Sequence, residues 1–174
     1  MIKEMPRIPR DEYPLRWKRV EEVLLREKLD MLLVYADDRH TYGAAYARYY
    51  ADVPVCFEPV LLMFVPGEAP KLLVGPETDG YAREVGTIGD ICVLKEFAAE
   101  NEDYPFTKIT PLSEVVKGKT IRRLGLGGLS LMGAQVYRAI LAAFPQACTV
   151  EMDAILEPMR GIKSPAELQV IRYA

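Results

Sequence analysis

The chain has 174 residues, of which 50% are hydrophobic and 27% charged, and its formal net charge at pH 7 is −3. This length suits one domain with its own core, and the composition argues against a disordered chain. The small negative charge argues against a partner such as nucleic acid or an anionic membrane. The apolar run 59–65 is far shorter than a membrane span, and the first residues carry charges and prolines where a signal peptide is apolar. We therefore expect a cytoplasmic protein with no membrane or nucleic-acid partner.

Cysteine and histidine are too few, and too widely spaced, for the common metal and redox motifs. Cys56, Cys92 and Cys148 form no CxxC pair, and we expect all three to be buried, reduced and packed as small hydrophobic residues. His40 is the only histidine, whereas a catalytic zinc site usually takes two or three. The sequence therefore predicts no metal site held by this chain alone.

The first half of the chain alternates helical and strand patterns. Residues 11–30 place apolar residues at helical spacing, with Asp11 in a capping position and Pro14 in the first turn, and predict a long helix. Residues 31–36 form a continuous apolar run, which is typical of a strand covered on both faces. Residues 60–65 and 71–75 are apolar runs joined by a short turn, and they predict a β-hairpin.

The second half continues the alternation. It predicts helices over residues 77–86, 111–118 and 130–144, the last of them capped by Ser130. It predicts strands over 90–97, 120–128 and 148–152. Residues 153–164 are predicted to be a connector that contains a turn capped by Asp153. A hairpin beside such alternation indicates a mixed sheet, parallel and antiparallel, of about five or six strands with helices on both faces. We expect a single α/β domain.

The glycine-rich residues 125–128, GLGG, stand between a predicted strand and a predicted helix. Dinucleotide-binding turns occupy this place, but the third glycine of their fingerprint is absent, and no suitable acidic residue ends a following strand. We interpret the segment as a tight turn.

Asp37 and Asp38 directly follow the first predicted strand. Ligands often bind at this end of the strands in α/β sheets, and paired carboxylates can act as metal ligands or bases. Acidic residues at loop tips are more often solvated or cap a turn, and we favour that interpretation.

Residues 37–59 are rich in tyrosine, lack a clean period and predict a long loop with one helical turn. Tyrosine and arginine together favour recognition surfaces. An arginine can grip a carboxylate with two hydrogen bonds, and a histidine can exchange a proton near neutral pH. The alternative is that the tyrosines pack the loop onto the sheet and the arginine is solvated. Both interpretations concern Arg39, His40, Tyr42, Tyr46, Arg48, Tyr49 and Tyr50.

The last residues carry a strong helix-start pattern. Ser164 suits the cap, Pro165 the first helical position, and Glu167 can complete a capping box. Leu168, Ile171 and Val170 follow as an apolar stripe. Because a helix of about ten residues is marginal alone, we expect residues after about 164 either to fray or to dock on an improvised surface, such as another copy of the chain.

Three segments resemble the creatinase/prolidase/aminopeptidase P family of metallohydrolases. Residues 160–174, RGIKSPAELQVIRYA, resemble the junction that opens the family's larger "pita-bread" domain. Residues 16–46 resemble its first helix, strand and loop, and residues 59–77 its hairpin with a trailing Pro-Glu. The resemblance implies a creatinase N-terminal-like domain over 1–160. Residues 161–174 would then be a linker and the start of a truncated C-terminal catalytic domain.

The resemblance also implies a function for the parent protein. It would be a metal-dependent hydrolase of Xaa-Pro dipeptidase or creatinase type, with a dinuclear manganese, cobalt or zinc site in the missing domain, acting on small peptides or creatine-like compounds. No residue here matches the family's two aspartates, histidine and two glutamates. The chain is thus expected to hold no catalytic residue, metal ligand or cofactor, and to be inactive alone.

In the family, the N-terminal domain helps form a homodimer, and its loop can border the partner's active site. By resemblance the loop 39–50 would supply substrate contacts through His40, Arg48, Tyr49 and Tyr50. This loop, HTYGAAYARYYADV from residue 40, departs from the family's frequent N-x-x-Y-L-T-G-F pattern. A different class of function stays open: a stand-alone α/β module for ligand binding or dimerisation, without enzymatic activity.

Overall fold

A computed structural model describes residues 5–174. Residues 1–4, where the predicted domain and the argument against a signal peptide begin, lie outside this part. The helices are α1 Glu12–Arg26, α2 Ala45–Ala51, α3 Asp79–Val85, α4 Leu112–Val115, α5 Ala134–Ala143, α6 Asp153–Gly161 and α7 Pro165–Tyr173. The strands are β1 Met31–Ala36, β2 Val60–Phe64, β3 Lys71–Val74, β4 Asp90–Leu94, β5 Ile109–Thr110, β6 Arg123–Gly127 and β7 Cys148–Glu151.

The seven strands form one mixed sheet in the order β5-β4-β3-β2-β1-β6-β7. The central strand β2 is antiparallel to both of its neighbours, and every other pairing is parallel. The predicted hairpin is β2 and β3, and the predicted α/β fold with a mixed sheet is confirmed. The sheet has one strand more than the sequence indicates, because β5 contains two residues and carries no detectable period.

The core lies on both faces of this sheet, as the apolar β1 predicts. Alternate residues of β1 point to opposite faces, so that Leu32 and Val34 join one buried cluster while Met31 and Leu33 join the other. The first cluster is covered by α1, α2 and α6. The second is covered by α5 and the start of α4. Helices on both faces are therefore confirmed.

The connecting segments differ from the prediction in three places. Within residues 37–59 the chain forms the seven-residue helix α2, which ends where Asp52 adopts a left-handed conformation (φ 53°). The helix predicted from residue 130 begins at Ala134 with Gly133 as its cap, and Ser130 lies in a short 3-10 turn before it. The predicted connector 153–164 is mostly helix α6, which contains Pro158.

The expectation of buried cysteines is wrong for two of the three. Cys148 is exposed at the start of the edge strand β7, and Cys56 is exposed in the loop before β2. Cys92, in β4, is partly buried, and burial raises the pKa of its thiol. Their exposure follows from their positions at an edge and in a loop, where no helix covers them.

Helix α7 forms with the complete capping box that the sequence predicts: the Ser164 hydroxyl accepts the Glu167 N–H, and the Glu167 carboxylate accepts the Ser164 N–H. The helix attaches to α1 of its own chain, because Ser164 Oγ donates to Glu12 at 3.0 Å and Glu167 pairs with Arg16 at 3.3 Å. None of its residues is buried. Within residues 5–174, no helix has the length and apolar character needed to cross a membrane.

Candidate functional site

One edge of the sheet collects three buried or partly buried carboxylates. Strands β1, β6 and β7 are parallel, so Asp37 after β1 and Asp153 after β7 lie along the same edge, the one at which these strands have their carboxyl ends. Strand β2 runs the opposite way, so Glu58, which precedes it, belongs to this edge as well. Carboxyl ends of strands are the usual ligand-binding edge of α/β sheets.

The Asp37 cluster consists of Tyr35, Asp37, Arg39 and His40. The Asp37 side chain is only 3% exposed. Its Oδ2 accepts the Tyr35 hydroxyl at 3.3 Å, and its Oδ1 accepts the Arg39 backbone N–H at 3.2 Å. The same Oδ1 lies 3.3 Å from Nδ1 of His40, whose side chain is 50% exposed. A buried carboxylate therefore holds one nitrogen of a half-exposed imidazole.

Gly43 lets the loop fold back over Asp37. Its carbonyl oxygen accepts the Asp37 N–H at 3.3 Å. A Cβ atom at this position would lie 2.5 Å from the Asp37 carbonyl oxygen and would also clash with its Oδ1. Because that contact is with backbone, only glycine fits without displacing the loop that carries His40.

The Tyr35 hydroxyl keeps its proton at ordinary pH. Burial, together with the negative charge of Asp37, raises the pKa of Tyr35 to about 12. Tyr35 therefore acts as a donor to Asp37 and leaves that carboxylate an acceptor for the His40 ring.

Asp38 ties the loop after β1 to the loop before β2. Its Oδ2 accepts the Phe57 N–H at 2.9 Å. Phe57 has a positive φ of 68° and is 79% exposed, and Tyr42 in the neighbouring loop is 78% exposed. A left-handed conformation costs a bulky residue roughly 1–2 kcal/mol, which the hydrogen bond that Phe57 donates to Asp38 helps to offset. This carboxylate therefore acts within the chain as a loop brace.

The predicted substrate residues of α2 divide into two groups. Arg48 is exposed, and its guanidinium lies 3.6 Å from Asp52. Tyr49 and Tyr50 are buried, with their rings in edge-to-face contact at 4.8 Å. The Tyr49 hydroxyl donates to the Met159 carbonyl at 2.9 Å, and burial raises its pKa. These two tyrosines pack α2 against α1 and α6, whereas His40 and Arg48 reach the surface on separate partners.

Asp153 is the polar residue of this edge that we interpreted only as the cap of a turn. Its Oδ1 accepts the Gly128 N–H at 2.6 Å and the Tyr46 hydroxyl at 3.0 Å, and its Oδ2 accepts the Leu129 N–H at 3.1 Å. Gly128 itself has a φ of 70° and forms the turn after β6, whereas residues 125–127 of GLGG belong to that strand, so the predicted tight turn is limited to its last glycine. The rule that drew attention to Asp37, an acidic residue just after a strand, applies equally to Asp153.

Glu58 braces the start of α3. Its carboxylate accepts the N–H groups of Glu77 and Thr78 and the Thr78 hydroxyl at 3.0–3.3 Å, while burial raises its pKa. Asp153 and Glu58 thus each hold backbone of a neighbouring loop, whereas Asp37 holds backbone and side chains of its own segment. Among the described residues, no group of three or more histidine, cysteine, aspartate or glutamate side chains is placed to hold a metal ion.

Several solved structures share the fold of this domain. Its solved neighbours include a prolidase from Pyrococcus horikoshii OT3 (TM-score 0.67, 17% identity), which matches over 91% of this chain and 38% of its own. A proline dipeptidase from Streptococcus pneumoniae TIGR4 (TM-score 0.65, 16% identity) matches over 85% of this chain and 98% of its own. A solved "Creatine_N Superfamily domain of a dipeptidase" from Streptococcus thermophilus gives a TM-score of 0.61 at 13% identity, over 83% of this chain and 98% of its own. The predicted resemblance to the N-terminal domain of the creatinase/prolidase/aminopeptidase P proteins is confirmed.

The sequence of this chain is also similar to that of a named peptidase. The chain is 30% identical over 189 residues to "Intermediate cleaving peptidase 55" of Schizosaccharomyces pombe, across 97% of this chain. The chain spans 38% of the length of that relative. No protein-family model matches the chain.

Proposed function

We propose that this chain is the non-catalytic N-terminal domain of a metal-dependent hydrolase of the Xaa-Pro dipeptidase or creatinase type. The observation that supports this proposal most is the length of the match: the shared fold covers 91% of this chain but only 38% of the Pyrococcus prolidase. Residues 1–160 would form the domain, and 161–174 would be the linker and first helix of the catalytic part. Two metal ions bound there, manganese, cobalt or zinc, would supply an activated water.

The part of this chain in the reaction is to border the substrate pocket and to form the homodimer. His40 in the loop after β1 and Arg48 on α2 are both exposed, and we assign substrate contact to them. Tyr49 and Tyr50, which carried the same prediction, support the loop from inside. Small Xaa-Pro peptides or creatine-like compounds are the proposed substrates, and their choice depends on a pocket built mainly by the other domain.

The first test is to read the gene beyond codon 174. A continuing frame of roughly two hundred residues, with widely spaced Asp, Asp, His, Glu and Glu, supports the proposal, because a domain of that size can hold the catalytic centre. A stop codon at this point would contradict it and favour a stand-alone module for ligand binding or dimerisation.

The second test is an assay of the purified 174-residue chain with Xaa-Pro dipeptides and added manganese or cobalt. We expect no hydrolysis, because none of its residues matches the family's ligands. Turnover that scales with chain concentration and is abolished by a chelator would contradict the non-catalytic role.

A further inference from the structure

We infer that Asp37 is a positioning residue that fixes the neutral imidazole of His40 with its proton on Nδ1, leaving Nε2 as an acceptor for an N–H or O–H group of a ligand. The inference rests on the proposed function for the identity of that ligand, which would be a donor group of a peptide substrate. The tautomer itself is a property of this chain alone.

The geometry that carries the inference is a buried acceptor behind an exposed ring. Asp37 Oδ1 lies 3.3 Å from His40 Nδ1, and a carboxylate accepts hydrogen bonds but donates none. The nitrogen that faces it must therefore carry the proton in the neutral ring. Because the His40 side chain is half exposed while Asp37 is buried, Nε2 is the nitrogen left for a ligand.

The other groups bonded to Asp37 are donors, so the carboxylate is the acceptor in each of these hydrogen bonds. Tyr35 donates to Oδ2, and the Arg39 backbone N–H shares Oδ1 with the ring. Gly43 closes the loop over the same residue, at a distance that excludes any side chain. The cluster thus fixes which nitrogen of the ring bears hydrogen, and this second partner is what usually decides the tautomer of a functional histidine.

The local charge favours a donor that is positively charged. Residues 37–40 hold two carboxylates and one guanidinium, so that their net charge with a neutral imidazole is −1. A protonated amine, such as the amino terminus of a peptide, offers both the N–H and the complementary charge. The ligand class that follows is a peptide with a free amino terminus.

The test is a long-range ¹H–¹⁵N correlation spectrum of the uniformly ¹⁵N-labelled chain. His40 is the only histidine, so a single imidazole contributes and needs no assignment by comparison. The spectrum is recorded at a pH above which its ring signals no longer move, where the ring is neutral. We expect the pattern of a protonated Nδ1 and a bare Nε2. A ring that carries its proton on Nε2, the tautomer favoured by histidine in water, would overturn the inference.

Two matched variants sharpen the same measurement. Asp37→Asn is expected to lose the fixed tautomer and give a mixture of the two forms, whereas Asp38→Asn should leave the spectrum unchanged, because Asp38 bonds to Phe57 and not to the ring. An unchanged tautomer in a folded Asp37→Asn chain would overturn the positioning role. If that variant does not fold, the wild-type spectrum still decides, since it requires no substitution.

Kinetics separate this inference from the proposed function. In a protein that joins this chain to its catalytic domain, Asp37→Asn should raise KM for a free dipeptide more than for its N-acetylated form. If the tautomer is confirmed but Asp37→Asn changes KM equally for both peptides, the assigned ligand and the role at the substrate pocket are contradicted. The hydrogen bond between Asp37 and His40 is then still supported.

Discussion

Two of the buried polar clusters within residues 5–174 differ in whether they are closed. The Arg16 cluster, formed by Arg16, Glu12, Glu167 and Tyr49, lies between α1, α2 and α7. The Arg16 side chain is 4% exposed, bonds to the Tyr49 carbonyl at 2.6 Å and pairs with both glutamates. Its guanidinium also stacks 4.2 Å from the Tyr49 ring centre. All these partners belong to this chain.

The Asp37 cluster is built in a similar way but is open at one end. Its carboxylate is as deeply buried as Arg16, yet the ring that it holds is half exposed. In a closed cluster every hydrogen bond joins parts of the same chain and holds helices together. In an open cluster one polar group is exposed and can bind a ligand. The comparison predicts that damage to the first will lower stability, and that damage to the exposed end of the second will change recognition.

The largest expected effect is on the closed cluster. Arg16→Met should lower the free energy of unfolding by about 3 kcal/mol, because removing one partner of a buried ion pair leaves Glu12 and Glu167 facing each other without a cation. Arg26→Met is the matched control: Arg26 lies on the same helix, is exposed and, among the described residues 5–174, forms an ion pair only with its neighbour Glu27. It should change the same free energy by less than ~0.5 kcal/mol. Equal losses in the two variants, measured by urea unfolding, would show that Arg16 does not link the helices.

The second largest effect on stability is expected at Gly43, which lets the loop fold over Asp37 in the open cluster. Gly43→Ala should cost roughly 1–3 kcal/mol, because the new methyl group meets the Asp37 backbone and the loop must shift. Gly89→Ala is the control, since a Cβ there meets nothing within 4 Å. Thermal unfolding of both variants, with the His40 tautomer recorded beside it, measures the cost. A fully stable Gly43→Ala chain with an unchanged tautomer would show that the loop does not depend on this contact.

A third and smaller effect on stability depends on pH, and it concerns the Asp30 carboxylate. Asp30 Oδ2 accepts the N–H groups of Arg122 and Arg123, each at 2.8 Å, and these bonds lower the pKa of Asp30 below its ordinary value of 3.8. A lowered pKa in the folded state contributes stability above the ordinary value, and that contribution is lost as the pH falls through the folded value.

Asp30→Asn is therefore expected to reduce stability near neutral pH and to lose this disadvantage under acid conditions. Urea unfolding of both chains, repeated at steps from about pH 6 downwards, measures the difference. A gap that widens towards acid pH has the opposite sign and would refute the assignment.

The smallest effect is expected on the exposed face of α7. Ile171→Gln should change the free energy of unfolding by less than ~0.5 kcal/mol, because Ile171 is exposed, whereas the hydrogen bond and the ion pair from this end of the chain to α1 run through Ser164 and Glu167. A loss comparable to that of Arg16→Met would mean that apolar packing, rather than the Arg16 cluster, attaches this helix. Urea unfolding of Ile171→Gln and Arg16→Met under the same conditions distinguishes these two ways of attaching α7.

Local signals explain what could be predicted from the sequence. The capping box of Ser164 and Glu167 is a pattern over four residues, and the β1 run and the β2–β3 hairpin are similarly local. The fold class followed from their order. Strand β5 was missed because two residues carry no period, and α6 because Pro158 resembles the proline of a connector.

The site was predicted less completely, because its contacts join distant parts of the chain. The segment that holds His40 was identified, but the burial of Tyr49 and Tyr50 depends on Met159, which lies about 110 residues away. Tyr46 likewise meets Asp153 across 107 residues. Such pairings require the register of the sheet, which no local pattern contains. The place of Asp37 after β1 is a local feature of the sequence, whereas its contact with His40 exists only in the folded chain.

The proposed function depends most directly on whether the exposed end of the Asp37 cluster meets substrate. The decisive measurement is steady-state kinetics of His40→Ala, with Arg48→Ala beside it and Arg26→Ala as control, in a protein that joins this chain to its catalytic domain. We predict a KM for an Xaa-Pro dipeptide raised about three- to tenfold, the value of one hydrogen bond of ~0.5–1.5 kcal/mol, with an unchanged melting temperature. Kinetic constants equal to those of the control in both variants would contradict a role for this loop at the substrate pocket.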